Sequence, residues 1–119
     1  VLLPVSAPFH CSLMQPAADR MAEALADTPP KSPSLPLYAN VTAAKVNDAQ
    51  EERELLVEQV TGRVRWRESV LTMREEGIEH FIELGGKVLT PMIGRIDKEA
   101  SATSLVTMES LEAFAKEIA

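Results

Sequence analysis

His80-Phe81-Ile82-Glu83-Leu84-Gly85-Gly86-Lys87-Val88-Leu89-Thr90-Pro91-Met92-Ile93-Gly94-Arg95-Ile96 changes its period partway along. The first five residues form a short run that reads as a strand, and Gly85-Gly86-Lys87 reads as a tight turn out of it. Val88, Leu89, Met92, Ile93 and Ile96 then fall on one helical face. Thr103-Ser104-Leu105-Val106-Thr107 reads as the next strand. A strand, a helix and a strand in close succession predict parallel neighbours joined by a crossover helix.

The same alternation extends outward in both directions. Beyond the last strand, Leu111, Phe114, Ala115 and Ile118 mark a final helix. Upstream, Trp66, Val70 and Met73, with Leu71 beside them, predict an amphipathic helix closed by Gly77. Before it, Asn47-Asp48-Ala49-Gln50-Glu51 has the spacing of a capping box, with Asp48 capping and Glu51 three residues on. A helix from about Ala49 to Thr61 is expected there, with Gly62 left-handed at its end. Leu35 to Thr42 reads as a strand, and the prolines of Thr28-Pro29-Pro30-Lys31-Ser32-Pro33-Ser34 impose a loop. Pro16 suits the first position of a helix whose apolar face is Ala18, Met21, Ala22 and Leu25. Leu2-Leu3-Pro4-Val5-Ser6 reads as one more strand at the start of the chain, and an apolar strand there predicts a chain that was cut, or continues another segment, at this point. The expected fold is α/β: part of a three-layer sandwich, with a largely parallel sheet and flanking helices.

Composition narrows the function classes. At 119 residues, 45% hydrophobic and 25% charged, the chain has the make-up of a soluble globular protein of about one domain. No apolar run approaches the roughly 20 residues that span a bilayer, and no secretory signal is present, so a cytoplasmic protein without a membrane partner is expected. The net charge of -6 argues against nucleic acid, whose binders carry a basic face. A single cysteine, Cys11, makes neither an internal disulfide nor a thiolate metal cluster. No spacing of His, Asp and Glu suggests zinc.

His10, in Val5-Ser6-Ala7-Pro8-Phe9-His10-Cys11-Ser12-Leu13-Met14, stands just past the first expected strand. Active sites of parallel sheets lie at such carboxyl ends. From the residues alone, a base and a histidine that only satisfies local hydrogen bonds are both open. A serine nucleophile on a Gly-x-Ser-x-Gly elbow has no match: Gly62, Gly77, Gly85, Gly86 and Gly94 bracket none. Ser12 reads as a helix cap working with Gln15. Cys11 reads as a buried or half-buried thiol and His80 as a structural histidine. Arg63, Arg65 and Arg67 read either as a basic edge for an acidic partner or as a solvated face, and Glu51-Glu52 and Glu75-Glu76 as exposed helix surface.

Taken together, the histidine block continued through Gln15-Pro16-Ala17-Ala18, the run Val64-Arg65-Trp66, and Glu83-Leu84-Gly85-Gly86-Lys87-Val88-Leu89 resemble the C-terminal part of malonyl-CoA:acyl-carrier-protein transacylases. The resemblance covers essentially the whole chain in order and spacing. It implies that residues 1–119 are the C-terminal segment of a hydrolase-like large α/β subdomain. The serine elbow, a ferredoxin-like small subdomain and the arginine that holds the malonyl carboxylate would then lie upstream. It implies a two-step acyl transfer, in which a serine takes malonyl from malonyl-CoA and the phosphopantetheine thiol of acyl carrier protein takes it away, in fatty-acid biosynthesis. No metal or redox cofactor is implied. His10 matches the family's general base and acid, a role that needs a group titrating near neutrality. In this family a backbone carbonyl orients that histidine, near the position that Gln59 matches in Leu55-Leu56-Val57-Glu58-Gln59, and Asn40 matches a polar position near the site, in a supporting role. One departure lies at Gly85-Gly86-Lys87, where the family usually has one more residue between the glycines.

On this reading the chain alone is inactive and has the missing N-terminal half as a partner. Two other functions fit the same residues: part of an acyltransferase domain of a polyketide or multifunctional synthase, and a non-catalytic module that docks carrier protein.

Overall fold

The computed structural model describes residues 7–119, so the strand expected over 2–6 lies outside the described residues. The described residues up to Ser69 form one compact unit and Val70–Ala119 a second.

In the first unit, a 3-10 turn over Ser12–Met14 leads into helix α1, Gln15–Asp27, with Pro16 in its first turn. Ser12 does not cap it. The residue before α1 is Met14, whose side chain makes no capping bond; the Gln15 backbone N–H donates to Ser12 O, and its side-chain Nε2 donates to Asp19 Oδ1 at 2.9 Å. The strand read over 35–42 is shorter and has a partner that the sequence pattern concealed. Strand β1, Leu37–Ala39, pairs antiparallel with β2, Ala44–Val46, in the register Leu37 to Val46 and Ala39 to Ala44. Ala43 makes this turn possible by taking a left-handed φ of 56° while buried, a conformation uncommon outside glycine.

Helix α2, Ala49–Thr61, has the expected bounds and packs against α1, with Ala18 and Leu55 the buried residues of the two helices. Asp48 Oδ1 accepts from the backbone N–H groups of Gln50 and Glu51, satisfying two donors that a helix start leaves unpaired. The Glu51 carboxylate reaches one residue further back than a capping box requires and accepts from the Asn47 N–H at 2.6 Å. Gly62 ends the helix, but its backbone is extended (φ -82°, ψ 156°) rather than left-handed.

Helix α3, Trp66–Glu75, carries the chain into the second unit. Its end is the glycine stop that the sequence predicts, and it is left-handed. Gly77 (φ 89°) donates to Arg74 O and Ile78 to Met73 O, the paired bonds of a Schellman motif. Strand β3, His80–Leu84, and β4, Ser101–Leu105, run parallel from the pairing of His80 with Ser101 to that of Leu84 with Leu105. The second strand lies two residues earlier than the pattern places it, because Thr107 is taken up as the N-cap of helix α5, Met108–Ile118. Helix α4, Leu89–Ile96, packs on both strands. Phe114 of α5 meets the ring of His80 edge-on, with centroids 6.4 Å apart. The protein is therefore a mixed α/β structure with a parallel strand pair and flanking helices.

The turn between β3 and α4 is closed by Glu83. Its carboxylate accepts from the N–H groups of Val88, Leu89 and Thr90 at 2.8, 3.0 and 2.8 Å, and from the Thr90 hydroxyl at 2.9 Å. Partial burial alone would push this carboxyl up. The donors from Thr90, Leu89 and Val88 outweigh burial and bring it down to about 2. Gly85 turns the chain with φ 79° while its N–H donates to Leu105 O, and a Cβ at Gly86 would stand 2.7 Å from Glu83 Oε1.

Candidate active site

His10 sits in the turn before α1 with a φ of 55°, a left-handed backbone rarely adopted by a side-chain-bearing residue and often found where function holds it. The turn is tied by two local bonds. The Phe9 N–H donates to Ala7 O at 3.0 Å, and the Cys11 thiol donates to Pro8 O at 3.0 Å. Cys11 thus fastens the loop that carries the imidazole.

The imidazole is exposed, and its Nδ1 lies 3.0 Å from the backbone carbonyl oxygen of Gln59, 49 residues away in the sequence. A carbonyl oxygen only accepts, so Nδ1 carries a proton, and in the neutral ring the lone pair is on Nε2. The carbonyl is open to His10 because Gln59 lies in the last turn of α2, where helix carbonyls lack intrahelical partners. The sequence-predicted pair, His10 and Gln59, is therefore brought together through the Gln59 main chain.

Asn40 stands in the turn between β1 and β2 and braces that turn from behind. Its carbonyl accepts from Arg65 N at 2.9 Å, and its Oδ1 accepts from the Ser69 hydroxyl at 3.3 Å. Arg65 Nη1 donates to Thr42 O at 2.9 Å, while Arg63 and Arg65 both face Glu68. Two of the three arginines read as a basic edge are thus engaged within the first unit. A recess of about 210 Å³ lies between the hairpin and α2, lined by Leu37, Tyr38, Asn40, Leu55, Leu56 and Gln59 among others. It is smaller than the several hundred Å³ of ordinary ligand sites, and His10 does not line it. Glu52 also borders it, with a buried Oε2 that has no partner among the described residues. Glu52 is half-buried, not the exposed surface its acidic run suggests.

His80 lies in the second unit, with Nε2 3.0 Å from the Thr103 hydroxyl and its ring against Phe114, in the structural role expected for it. Among the described residues no group of three or more His, Cys, Asp and Glu side chains is placed to hold a metal ion. No described helix is long and apolar enough to cross a membrane.

No family model matches the chain. Over 112 residues it is 41% identical to the malonyl CoA-acyl carrier protein transacylase of Salmonella typhimurium, a match that covers 93% of this chain and 36% of that protein. The chain belongs with the malonyl CoA-acyl carrier protein transacylases. It spans about a third of the length of these relatives. The backbone agrees with the sequence. The acyl-carrier-protein S-malonyltransferase structure from Bartonella henselae superposes with a TM-score of 0.90 at 46% identity, covering 99% of this chain and 38% of that one. A malonyl-transacylase solved in complex with a type II PKS acyl-carrier protein matches at 36% identity and a TM-score of 0.87, over 97% of this chain and 38% of that one.

Within this transacylase segment, three features carry no signal in hydrophobic periodicity. The Asn40 brace is made of main-chain groups, one amide and the Ser69 hydroxyl. Glu83 is a carboxylate inside a strand that caps a helix from outside it. Gly62 is required for space rather than for a positive φ, since a Cβ there would stand 2.7 Å from Val41 Cγ2 and 2.9 Å from Glu58 O.

Proposed function

We propose that this chain is the C-terminal segment of the large subdomain of a malonyl-CoA:acyl-carrier-protein transacylase, and that it supplies His10 as the general base and acid of the reaction. The observation that carries the reading is the 3.0 Å bond from Nδ1–H to the Gln59 carbonyl. It leaves Nε2 as the basic nitrogen and holds the ring against rotation, the task that an orienting group performs in a nucleophile–base pair.

The nucleophile in this reading is a serine on a segment outside these 119 residues. Its hydroxyl proton passes to Nε2 of His10 as the oxygen attacks the thioester carbonyl of malonyl-CoA. The carbon–sulfur bond of the tetrahedral adduct then breaks, and the imidazolium returns the proton to the departing coenzyme A thiolate. In the second half the phosphopantetheine thiol of acyl carrier protein gives its proton to Nε2 and attacks the malonyl ester. The serine oxygen leaves and is protonated by the same imidazolium. Through both halves Nδ1 keeps its proton and its bond to Gln59, so one anchored ring serves four proton transfers.

Reconstitution tests this reading. The serine-bearing segment of a transacylase, co-expressed with this chain, is expected to move malonyl from coenzyme A to acyl carrier protein, while each part alone is inert. Full activity of the serine-bearing segment without this chain would refute it. Fatty-acid and polyketide carrier proteins offered in turn separate the two pathways, a choice kept open by the likeness to the transacylase bound to a type II PKS carrier protein.

A further inference from the structure

We infer that Gly62 is a positioning residue for His10: by having no side chain it lets the end of α2 lie against the β1–β2 turn, and this places the Gln59 carbonyl where Nδ1 can reach it. The inference rests on the reading of His10 as the base.

The argument is steric. In a continuing helix the N–H of Arg63 would point at the carbonyl of Gln59, four residues earlier. Extended Gly62 carries Arg63 off the helix, and the carbonyl accepts from His10 instead. At this same residue the chain passes Val41 so closely that a Cβ would come within 2.7 Å of Val41 Cγ2 and 2.9 Å of Glu58 O. One side must give way. Val41 is β-branched and stiff at χ1, and both of its neighbours are held. Arg65 N donates to Asn40 O, Ser69 Oγ to Asn40 Oδ1, and Arg65 Nη1 to Thr42 O. The hairpin side is therefore fixed, and the last turn of α2 is the part that yields. Gln59 lies in that turn, three residues from Gly62, so its carbonyl moves with it and the anchor of the imidazole is lost. Glycine serves here for space, because its φ of -82° is open to any residue.

The test reads the proton on His10 directly. Long-range 1H–15N correlation spectra of the 15N-labelled chain, reconstituted with an unlabelled serine-bearing segment, report the tautomer of each histidine, with His10 and His80 told apart by a His80→Gln variant. The native chain is expected to show His10 in the Nδ1–H form. Gly62→Ala is expected to lose that form and, in the enzyme reconstituted with a serine-bearing segment, to slow malonyl transfer by roughly tenfold to a hundredfold, as misplacement of about an ångström does. Val41→Ala combined with Gly62→Ala removes the clashing methyl and leaves the contact with Glu58 O, so it is expected to restore part of both the tautomer and the rate. This double variant also decides the matter if Gly62→Ala alone unfolds. A Gly62→Ala chain that keeps Nδ1–H and full transfer overturns the inference, as does a folded double variant that restores neither. A lost tautomer with unchanged transfer upholds the positioning role and refutes His10 as the base.

Discussion

The polarity of a histidine ring is set only when something fixes one of its nitrogens, and at His10 the Gln59 main chain holds Nδ1. That pairing was legible in the sequence only through the resemblance to a family. Forty-nine residues separate the partners, and a backbone carbonyl leaves no trace in residue identity. Glu83 was legible in neither way, because its strand position hides a carboxylate that caps α4. It makes a prediction at this scale. Its folded carboxyl lies at about 2, below the ordinary glutamate value, so its contribution to stability is complete above about pH 4.5 and is lost as pH falls from there towards 2. Denaturant midpoints taken between pH 6 and 3 should fall with acidity in the native chain, and fall less steeply in Glu83→Gln. Equal slopes would contradict the assignment. Asp97 adds a slope of the same sign, since the hydrogen bond from Arg74 at 2.6 Å and the Glu99 N–H hold its carboxyl below the usual range.

At the scale of elements, α2 and α3 show why some ends were legible and others not. Both sequences run from a helical stretch into a glycine, and both predict a glycine stop. Gly77 makes a left-handed one, with nothing near its missing Cβ, whereas Gly62 is extended and pressed against Val41. Local pattern carries the first case. The second depends on a contact 21 residues away in sequence, which no window of pattern contains. Likewise β2 was missed because Ala44–Val46 is three residues long and follows a turn built on a buried alanine with positive φ. Caps were legible where the side chain acts on its own helix, as Asp48 does. Asp48→Ala should cost about 1 kcal/mol of stability, read from denaturant unfolding. Ile93, the buried residue of α4 at 3% exposure, should cost about 2 to 5 kcal/mol as alanine through the cavity left behind. A loss below half a kcal/mol at Ile93 would mean that α4 does not pack as described.

For the whole molecule, the parallel pair β3–β4 is the element that most needs company. Parallel sheets are ordinarily covered on both faces and built from more strands, yet Leu84 and Val88 are each 69% exposed and Met108 is 70% exposed. Such apolar surface marks association sites. The chain alone is therefore expected to self-associate at high concentration in sedimentation, and co-expression with the serine-bearing segment to give a defined complex. A monodisperse monomer that ignores that segment would count against the proposed place of this chain in a larger enzyme. The α/β class was legible at this scale because strand and helix periods alternate along the chain. The division into two compact units was not, since α3 runs through the boundary without a break in its pattern. The central claim is that His10 takes the proton from a serine supplied by another segment, and the acylation step tests it most directly. In the reconstituted enzyme, the rate at which malonyl-CoA acylates that serine, followed by the mass of the serine-bearing segment, should fall by roughly 10²- to 10⁴-fold in His10→Ala. An unchanged acylation rate in a folded His10→Ala complex would contradict the account.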